Sequence, residues 1–122
     1  MIIPRGFYYE GQLPFLGDKA YFVVRYLPMR MYARAFPDGA RALNWACLNN
    51  LFVHPRYRNR GHGRQLLGML KAWQQATQTN ILFLCAPYQR RAGCGIDCLH
   101  TFYVGEGFPH IVGTPYHYRL CE

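Results

Sequence analysis

The sequence predicts one α/β domain, in which strands come first and then alternate with helices. The length of 122 residues suits a single domain. Gly63 to about Thr77 has the apolar periodicity of an amphipathic helix. Short apolar segments precede and follow this helix, as expected of buried strands. The whole order that we predict is β, β, β, α, β, α, β.

The first part of the chain is predicted to contain strands. Residues 1–17 carry Pro and Gly between short apolar segments, which fits an edge strand and a turn. Ala20–Leu27 is rich in β-branched and aromatic residues, which predicts a strand. Pro37-Asp38-Gly39 is a turn signal. It predicts a hairpin that pairs Met29–Phe36 with Arg41–Leu48.

A short helix that begins at Pro28 is the alternative to this hairpin. If the hairpin forms, its second strand is expected to continue through Leu51–Val53. The helix that follows the strand is amphipathic, because its apolar residues recur at helical spacing on one face. These residues are Leu66, Leu67, Leu70, Trp73 and Ala76.

The remaining elements complete the alternation. Asn80–Ala86 is predicted to be a buried strand, which Pro87 ends. Asp97 is the expected N-cap of a short helix that runs to Glu106, with Gly107 directly after its C-terminus. Residues 88–96 form a basic, glycine-containing loop before this helix. Residues 111–120 predict a final strand, with a break at positions 113–115.

Charge and cysteine usage narrow the class of protein. The net charge is +8, so we expect an acidic ligand, an acidic partner or a solvated basic surface. No segment has the ~20 consecutive apolar residues of a membrane span, and the N-terminus lacks the apolar core of a signal peptide. The five cysteines are scattered and odd in number, which favours free thiols. We therefore expect a cytoplasmic protein.

The segment from Val53 to Leu67 is the strongest functional signal in the chain. It joins an apolar strand to a basic turn, and the turn opens directly into the helix. Gly61 and Gly63 allow close approach of the main chain to a ligand. The first helical turn leaves N–H groups without intrahelical partners, and the helix dipole favours an anion there. A phosphate or pyrophosphate is the ligand that this arrangement predicts.

Two common phosphate motifs do not fit this loop. The Walker motif requires Gly-Lys-Ser/Thr, and the dinucleotide fingerprint requires a third glycine where Leu66 stands. The spacing Arg58-x-x-Gly61-x-Gly63 resembles the acyl-CoA pyrophosphate loop of the GNAT superfamily of N-acetyltransferases. A second element, Phe102-Tyr103-x-x-x-Gly107-Phe108, is similar to the run that ends the helix beside the acyl-CoA thioester in that family.

The resemblance implies a mixed sheet flanked by helices, in a form with trimmed N-terminal helices. It covers about residues 43–120, well over half of the chain, and so nearly all of the expected cofactor-binding and catalytic core at 42–120. It is weak over residues 1–41, the expected N-terminal strands. Very small domains of this kind are familiar among phages and prophages. Acetyl-CoA is the implied cosubstrate, and no metal is expected. The implied cofactor-binding residues are Leu51, Phe52, Val53, Arg58, Asn59, Arg60, Gly61, His62, Gly63 and Arg64.

The resemblance also implies two catalytic roles. A backbone N–H of the strand before the loop would polarise the thioester carbonyl, with Leu51 as the expected donor and Phe52 or Val53 as alternatives. Tyr103 matches the tyrosine that many members use as general acid, and a phenol with an ordinary pKa near 10 holds its proton at pH 7. The alternative for Tyr103 is a purely structural core aromatic.

The general base is left open by the sequence. Many family members place a glutamate in the strand before the loop, but this chain has Leu48-Asn49-Asn50-Leu51 there. A nucleophilic Cys85 is a less favoured alternative. Candidate bases elsewhere are Asp97, His100, Glu106, His110, His117 and Glu122.

The function that follows is transfer of an acetyl group from acetyl-CoA to a primary amine, by direct attack in a ternary complex. A protein lysine, a protein N-terminus or a small amine would be the acceptor. The first alternative is a non-catalytic acyl-CoA-binding protein that acts through a macromolecular partner. The second is an acyltransferase or binder that acts on nucleic acid, which the arginine content allows. The C-terminal strand would suit a homodimer.

Overall fold

The computed structural model describes residues 2–5, 8–27, 45–85 and 96–121. Over these residues the chain forms one six-stranded sheet and two helices. The predicted alternation of strands and helices is confirmed in the second half of the chain. The elements are β1 (Ile2–Arg5), β2 (Tyr8–Gln12), β3 (Ala20–Leu27), β4 (Trp45–Val53), α1 (His62–Thr77), β5 (Ile81–Cys85), α2 (Ile96–Gly105) and β6 (Tyr116–Leu120).

The sheet is mixed, as the resemblance implies. Its strands lie in sequence order, and each neighbouring pair is antiparallel except β4 and β5. The parallel pair requires a crossover connection, which α1 supplies. The predicted strand Ala20–Leu27 is confirmed with the same bounds. Residues 1–17, in contrast, contain an antiparallel pair of strands, β1 and β2, rather than one edge strand.

A β-bulge in β4 changes which residues face the core. Val23 pairs with Asn50 and Val24 pairs with Leu48, so Asn49 is the additional residue on β4. Side chains alternate between the two faces of a strand, and one extra residue shifts this alternation by one. The buried core residues on β4 are accordingly Ala46 and Leu48 before the bulge, and Leu51 and Val53 after it.

Beyond the bulge, β4 and β5 diverge. Their parallel ladder runs from the pair Trp45–Ile81 to the pair Cys47–Phe83. β4 continues to Val53, whereas β5 ends at Cys85 and pairs on its other side with β6. The carboxyl-terminal parts of the two parallel strands are therefore not paired with each other.

The main core lies between the sheet and both helices. Leu66, Leu67, Leu70 and Trp73 of α1 are buried there, as predicted. Ala76 is exposed, so its predicted place on the buried face is wrong. Gln74 is buried instead, because its amide group donates to the carbonyl oxygens of Thr79 and Arg119 and its Oε1 accepts from the Arg119 guanidinium. A smaller cluster of Trp45, Ile81 and Phe83 lies on the opposite face.

The C-terminal elements differ from prediction in detail. Asp97 lies within α2 rather than before it. The final strand is confined to β6, because residues 112–115 form a turn that folds His110 back to bridge His117. The predicted hairpin, apart from the residues that belong to β4, and the loop 88–95 lie outside the described residues. Over the described part of the chain, neither helix is long and apolar enough to span a membrane.

Candidate functional site

The loop between β4 and α1 contains two residues in the left-handed region. After β4 the chain makes a 3-10 turn at Pro55–Tyr57, and then Asn59 has φ 62° and Gly61 has φ 81°. Glycine adopts this region without steric penalty, and Asn tolerates it better than most residues. Gly61 also caps α1, and a Cβ at this position would meet no atom within 4 Å. The main chain at Gly61 therefore faces open space.

Main-chain donors line this open space. The first helical hydrogen bond runs from Gln65 N to Gly61 O at 3.1 Å. Among the described residues, no acceptor is found for the main-chain N–H groups from Asn59 to Arg64. Successive N–H groups in alternating right- and left-handed conformations form an anion-binding concavity, and the positive end of the α1 dipole lies in the same place. The predicted phosphate site thus has a physical basis in the structure.

Arg58 fixes the loop to the end of β4. Its Nε donates to the carbonyl oxygen of Val53 at 2.9 Å, and the side chain is half-buried. The guanidinium is therefore engaged with the main chain across the turn. This hydrogen bond gives Arg58, the first residue of the glycine-containing motif before α1, a role in the shape of the loop.

The other predicted loop side chains have separate neighbours. His62 Nδ1 lies 3.0 Å from the side-chain oxygen of Gln65 within α1. Arg64 is 78% exposed, and its Nε donates to Glu106 Oε1 at 2.6 Å. Lys71 Nζ lies 4.0 Å from the other oxygen of the same carboxylate. Glu106 directly follows α2, and its carboxylate thus offsets the positive charges of two α1 residues. The sequence did not suggest this contact.

Gly63 joins the two predicted motifs. A Cβ at Gly63 would lie 3.3 Å from Cζ of Phe102 in α2, which is closer than ordinary van der Waals contact. The second glycine of the loop therefore allows the aromatic ring of α2 to pack onto the first turn of α1. The two motifs are far apart in sequence and form one contact in the fold.

The second motif ends α2 with a Schellman arrangement. Gly107 has φ 90° and its N–H donates to Val104 O at 3.1 Å, while Phe108 N–H donates to Tyr103 O at 2.9 Å. The rings of Tyr103 and Phe108 pack edge to face at 6.2 Å, which is the apolar contact that accompanies this motif. Tyr103, Gly107 and Phe108 therefore terminate the helix together.

The residues expected to act on the thioester lie in or beside the core. Tyr103 is fully buried, with its ring 5.9 Å from that of His117. Leu51 is buried on the helix-facing side of β4, in the part of the strand beyond its last pair with β5. Phe52 is half-buried and its ring packs against Tyr21 at 5.4 Å. Val53 supplies the carbonyl that receives Arg58.

Three histidines form a cluster beside Tyr103. His117 is fully buried, and its Nδ1 lies 2.9 Å from the carbonyl oxygen of Phe108, so this nitrogen carries the proton. The remaining nitrogen, Nε2, then accepts from Nδ1 of His100 at 2.9 Å. Nε2 of His110 donates to Thr114 O at 2.6 Å. Burial lowers the pKa of His117, and the charges of His100 and His110 lower it further.

The cysteines and acidic groups add no metal site in the described part of the chain. Cys47, Cys85 and Cys121 form no disulfide there. Burial raises the pKa of Cys47 to about 12, and the neighbouring Cys85 adds to this effect against the opposing charge of Arg25. Cys47 is therefore a protonated, unreactive thiol at neutral pH. No group of three or more His, Cys, Asp or Glu residues suited to a metal ion occurs among the described residues.

Solved structures of acetyltransferases share this fold. A GNAT family acetyltransferase from Staphylococcus aureus Mu50 has a TM-score of 0.53 and 17% identity, over 85% of this chain and 60% of that chain. Tetrahymena GCN5 has a TM-score of 0.59 and 12% identity, over 97% and 71%. YhbS of Escherichia coli, a GNAT family N-acetyltransferase solved with CoA, has a TM-score of 0.53 and 14% identity, over 83% and 51%.

This chain thus spans 60% of the length of the S. aureus structure, and these likenesses establish the fold alone. No protein of curated function matches the sequence. A profile of the acetyltransferase (GNAT) domain, however, matches residues 18–109. The match includes the loop before α1 and the motif at the end of α2, and the chain belongs to the GNAT acetyltransferase family.

Proposed function

We propose that this protein binds acetyl-CoA and transfers its acetyl group to a primary amine. The observation that carries the proposal is the set of main-chain N–H groups from Asn59 to Arg64 at the N-terminus of α1. Such a site suits a pyrophosphate, because its donors are fixed before the ligand arrives. The exposed guanidinium of Arg60 and the partly engaged Arg64 would add charge to the same site.

The divergence of β4 and β5 supports the choice of an acyl-CoA. The pantetheine arm of CoA is long, narrow and rich in amide groups. It would enter the opening beyond the pair Cys47–Phe83 and lie along β4, as a peptide does when it adds to a sheet edge. The pyrophosphate would then rest at the loop, since β4 leads directly into it.

Two groups would act on the thioester in this arrangement. We assign the N–H of Leu51 to the carbonyl oxygen, because Leu51 follows the bulge in the diverging part of β4. A fixed donor to a developing oxyanion contributes about 3 to 4 kcal/mol to transition-state stabilisation. We assign Tyr103 as the acid that protonates the departing thiolate. Its side chain is buried in the main core, near the C-terminal end of α2.

The acceptor is a protein lysine, a protein N-terminus or a small amine, whose nitrogen attacks the thioester carbonyl directly in a ternary complex and displaces the CoA thiolate. The amine must lose a proton before it attacks, since a lysine-type amine is more than 99% protonated at pH 7 by about three pKa units. The three free cysteines of the described residues are consistent with our placing the reaction in the cytoplasm.

Calorimetric titration with acetyl-CoA and with CoA tests the binding step. We expect affinity in roughly the micromolar range for both. The double variant Arg58→Glu with Gly61→Asp should abolish binding, because it places two negative charges in the anion site. A matched control is Arg25→Glu with Gly113→Asp. Gly113 has the same φ of 81° and an equally open Cβ position as Gly61, and Arg25 is exposed on β3.

Wild-type affinity in the loop variant would refute the cofactor assignment. A second candidate function is cofactor binding without turnover. It is favoured by the absence of a carboxylate from β4 and by the complete burial of Tyr103. Binding of acetyl-CoA with no thiol release across a panel of primary amines would support this second function.

A further inference from the structure

We infer that Lys19, Tyr57 and Arg60 form a second anion subsite, which takes the 3′-phosphate at the nucleotide end of CoA. The inference rests on the proposed function, since it concerns the same cofactor. It adds a specificity that the loop by itself does not supply, because a pyrophosphate is common to many nucleotides. A preference for CoA over its 3′-dephospho form is the property that we derive.

Two cations converge on one aromatic ring at this place. Lys19 Nζ lies 5.6 Å from the ring centre of Tyr57, and Arg60 Cζ lies 5.9 Å from it. Both distances are within the range of a cation–π contact. Tyr57 ends the 3-10 turn that leads into the loop, and Arg60 directly precedes Gly61. The subsite therefore adjoins the main-chain anion site.

Pairing within the sheet brings Lys19 to the loop. Ala20 is paired with Val53 at the end of β4, and His54 N–H donates to the carbonyl oxygen of Lys19 at 2.7 Å. The His54 ring packs edge to face on Tyr57 at 6.0 Å, which helps to hold the Tyr57 ring in place beside the two cations. The turn between β2 and β3 is thus held beside the turn that follows β4.

The charges of Lys19 and Arg60 are not balanced by any carboxylate of the described residues. The ion pairs found there use Glu106, which serves Arg64 and Lys71 on the other side of the loop. Two cations drawn to one ring repel each other, and an anion between them relieves this repulsion. Arg58 is held by Val53 O, whereas Arg60 is exposed. Of these two arginines, Arg60 is therefore the one whose guanidinium is available to a ligand.

The third phosphate of CoA matches these requirements. Its pyrophosphate would occupy the donors from Asn59 to Arg64, which leaves the phosphate monoester on the ribose. A phosphate monoester carries about −1.5 to −2 charge at pH 7, enough to pair with both cations. Arginine binds such a group through two parallel N–H donors, and lysine adds a point charge.

Calorimetric titration with CoA and with 3′-dephospho-CoA tests the inference. The wild-type protein should bind CoA roughly 10- to 100-fold more tightly, as expected for charged hydrogen bonds to one phosphate. The variant Lys19→Ala with Arg60→Ala should lose much more affinity for CoA than for 3′-dephospho-CoA, so that it binds the two forms about equally. Arg25→Ala, which removes an exposed charge elsewhere on β3, should keep the preference.

The possible outcomes distinguish failure of this subsite from failure of the proposed function. Equal wild-type affinity for the two cofactors would overturn the subsite and leave acetyl-CoA binding intact. A double variant that loses affinity for both cofactors in the same proportion would also overturn it, since Lys19 and Arg60 would then serve the pyrophosphate. Binding of neither cofactor by a folded wild-type protein would overturn the proposed function together with the subsite.

Discussion

Gly63 and Phe102 are in contact, and this contact joins the loop before α1 to the motif at the end of α2. An ideal Cβ on Gly63 would lie 3.3 Å from Cζ of Phe102. The glycine is therefore needed for the packing of the two helices. The nearby pair Arg64–Glu106 at 2.6 Å connects the same two helices through charge. The loop before α1 and the C-terminal end of α2 thus pack together as one unit.

The first prediction concerns this contact. Gly63→Ala should destabilise the fold by about 1 kcal/mol, because the added methyl displaces the Phe102 ring by a few tenths of an ångström. Gly68→Ala should instead stabilise it by roughly 0.5 to 1 kcal/mol, since Gly68 is an exposed helical glycine whose Cβ would meet no atom within 4 Å. Urea unfolding of both variants measures the two changes.

A double-mutant cycle tests whether contact with Phe102 is the cause of the destabilisation by Gly63→Ala. Phe102→Leu removes the ring atom that the new methyl would meet, so the effect of Gly63→Ala should become favourable in that background. We expect a coupling energy of roughly 1 to 2 kcal/mol. Additive effects of the two substitutions would show that Gly63 is not constrained by Phe102.

The second prediction concerns the end of α2. Gly107→Ala should reduce the free energy of unfolding by about 1 to 2 kcal/mol, because Gly107 has φ 90° and alanine is strained there. The closest atom to an added Cβ is Lys71 Nζ at 3.8 Å, so steric overlap does not contribute. Gly107→Asn should lose less of this free energy, since Asn tolerates the left-handed region. Equal losses for Ala and Asn would contradict a backbone origin.

The third prediction is an acid-dependent loss of stability. The pKa of His117 lies below its ordinary value of 6.5 in the folded protein, mainly because the ring is buried. At a pH between the folded-state pKa of His117 and its ordinary pKa in the unfolded chain, the unfolded chain binds a proton at this residue that the folded protein does not. The stability is therefore complete above about pH 6.5 and falls as the pH decreases, by at most ~1.4 kcal/mol per pH unit for one proton.

Urea unfolding at pH values between 5 and 8 measures this slope. His117→Gln should give a shallower slope, because glutamine can still donate to Phe108 O but does not titrate in this range. His62→Gln is the matched control, since His62 lies on the surface of α1 outside the cluster. An unchanged slope in His117→Gln would place the acid sensitivity elsewhere.

Sequence patterns predicted the strands and helices that depend mainly on residues close together in the chain. β3 has its predicted bounds because Ala20–Leu27 is uniformly suited to a strand, and α1 begins one residue before its predicted start because Gly61 caps it. The bulge at Asn49 was not predictable, since it arises from pairing with Val23 and Val24 on another strand. Contacts between distant segments, such as His100 with His117, follow from topology and leave no local pattern.

The same distinction applies to the candidate site. The loop's glycines and the order of both motifs predicted an anion site, because the required φ values are properties of single residues. Lys19 was not singled out, since its proximity to Tyr57 depends on the register of β3 against β4. The backbone contact of Arg58 was also missed, because the spacing of the motif does not distinguish a phosphate ligand from a main-chain clamp.

The fourth prediction tests whether Tyr103 takes part in the reaction. Tyr103→Phe should lower kcat by roughly 10²- to 10⁴-fold, as expected for loss of a general acid, and leave the affinity for acetyl-CoA unchanged. Thiol release from acetyl-CoA, with a lysine-containing peptide as acceptor, measures turnover, and calorimetry measures binding. Tyr118→Phe removes the same atom from a tyrosine that packs against the Trp45 cluster on the opposite face of the sheet, and it should have no effect on turnover.

The structural alternative for Tyr103 predicts a different pattern. Because the side chain is fully buried in the main core, a purely structural role would alter unfolding stability and cofactor affinity before turnover. A folded Tyr103→Phe protein with wild-type kcat would remove the hydroxyl from the mechanism and leave the ring as the apolar partner of Phe108. Loss of kcat with unchanged affinity and stability requires the hydroxyl itself, since the phenylalanine ring preserves every apolar contact of the tyrosine.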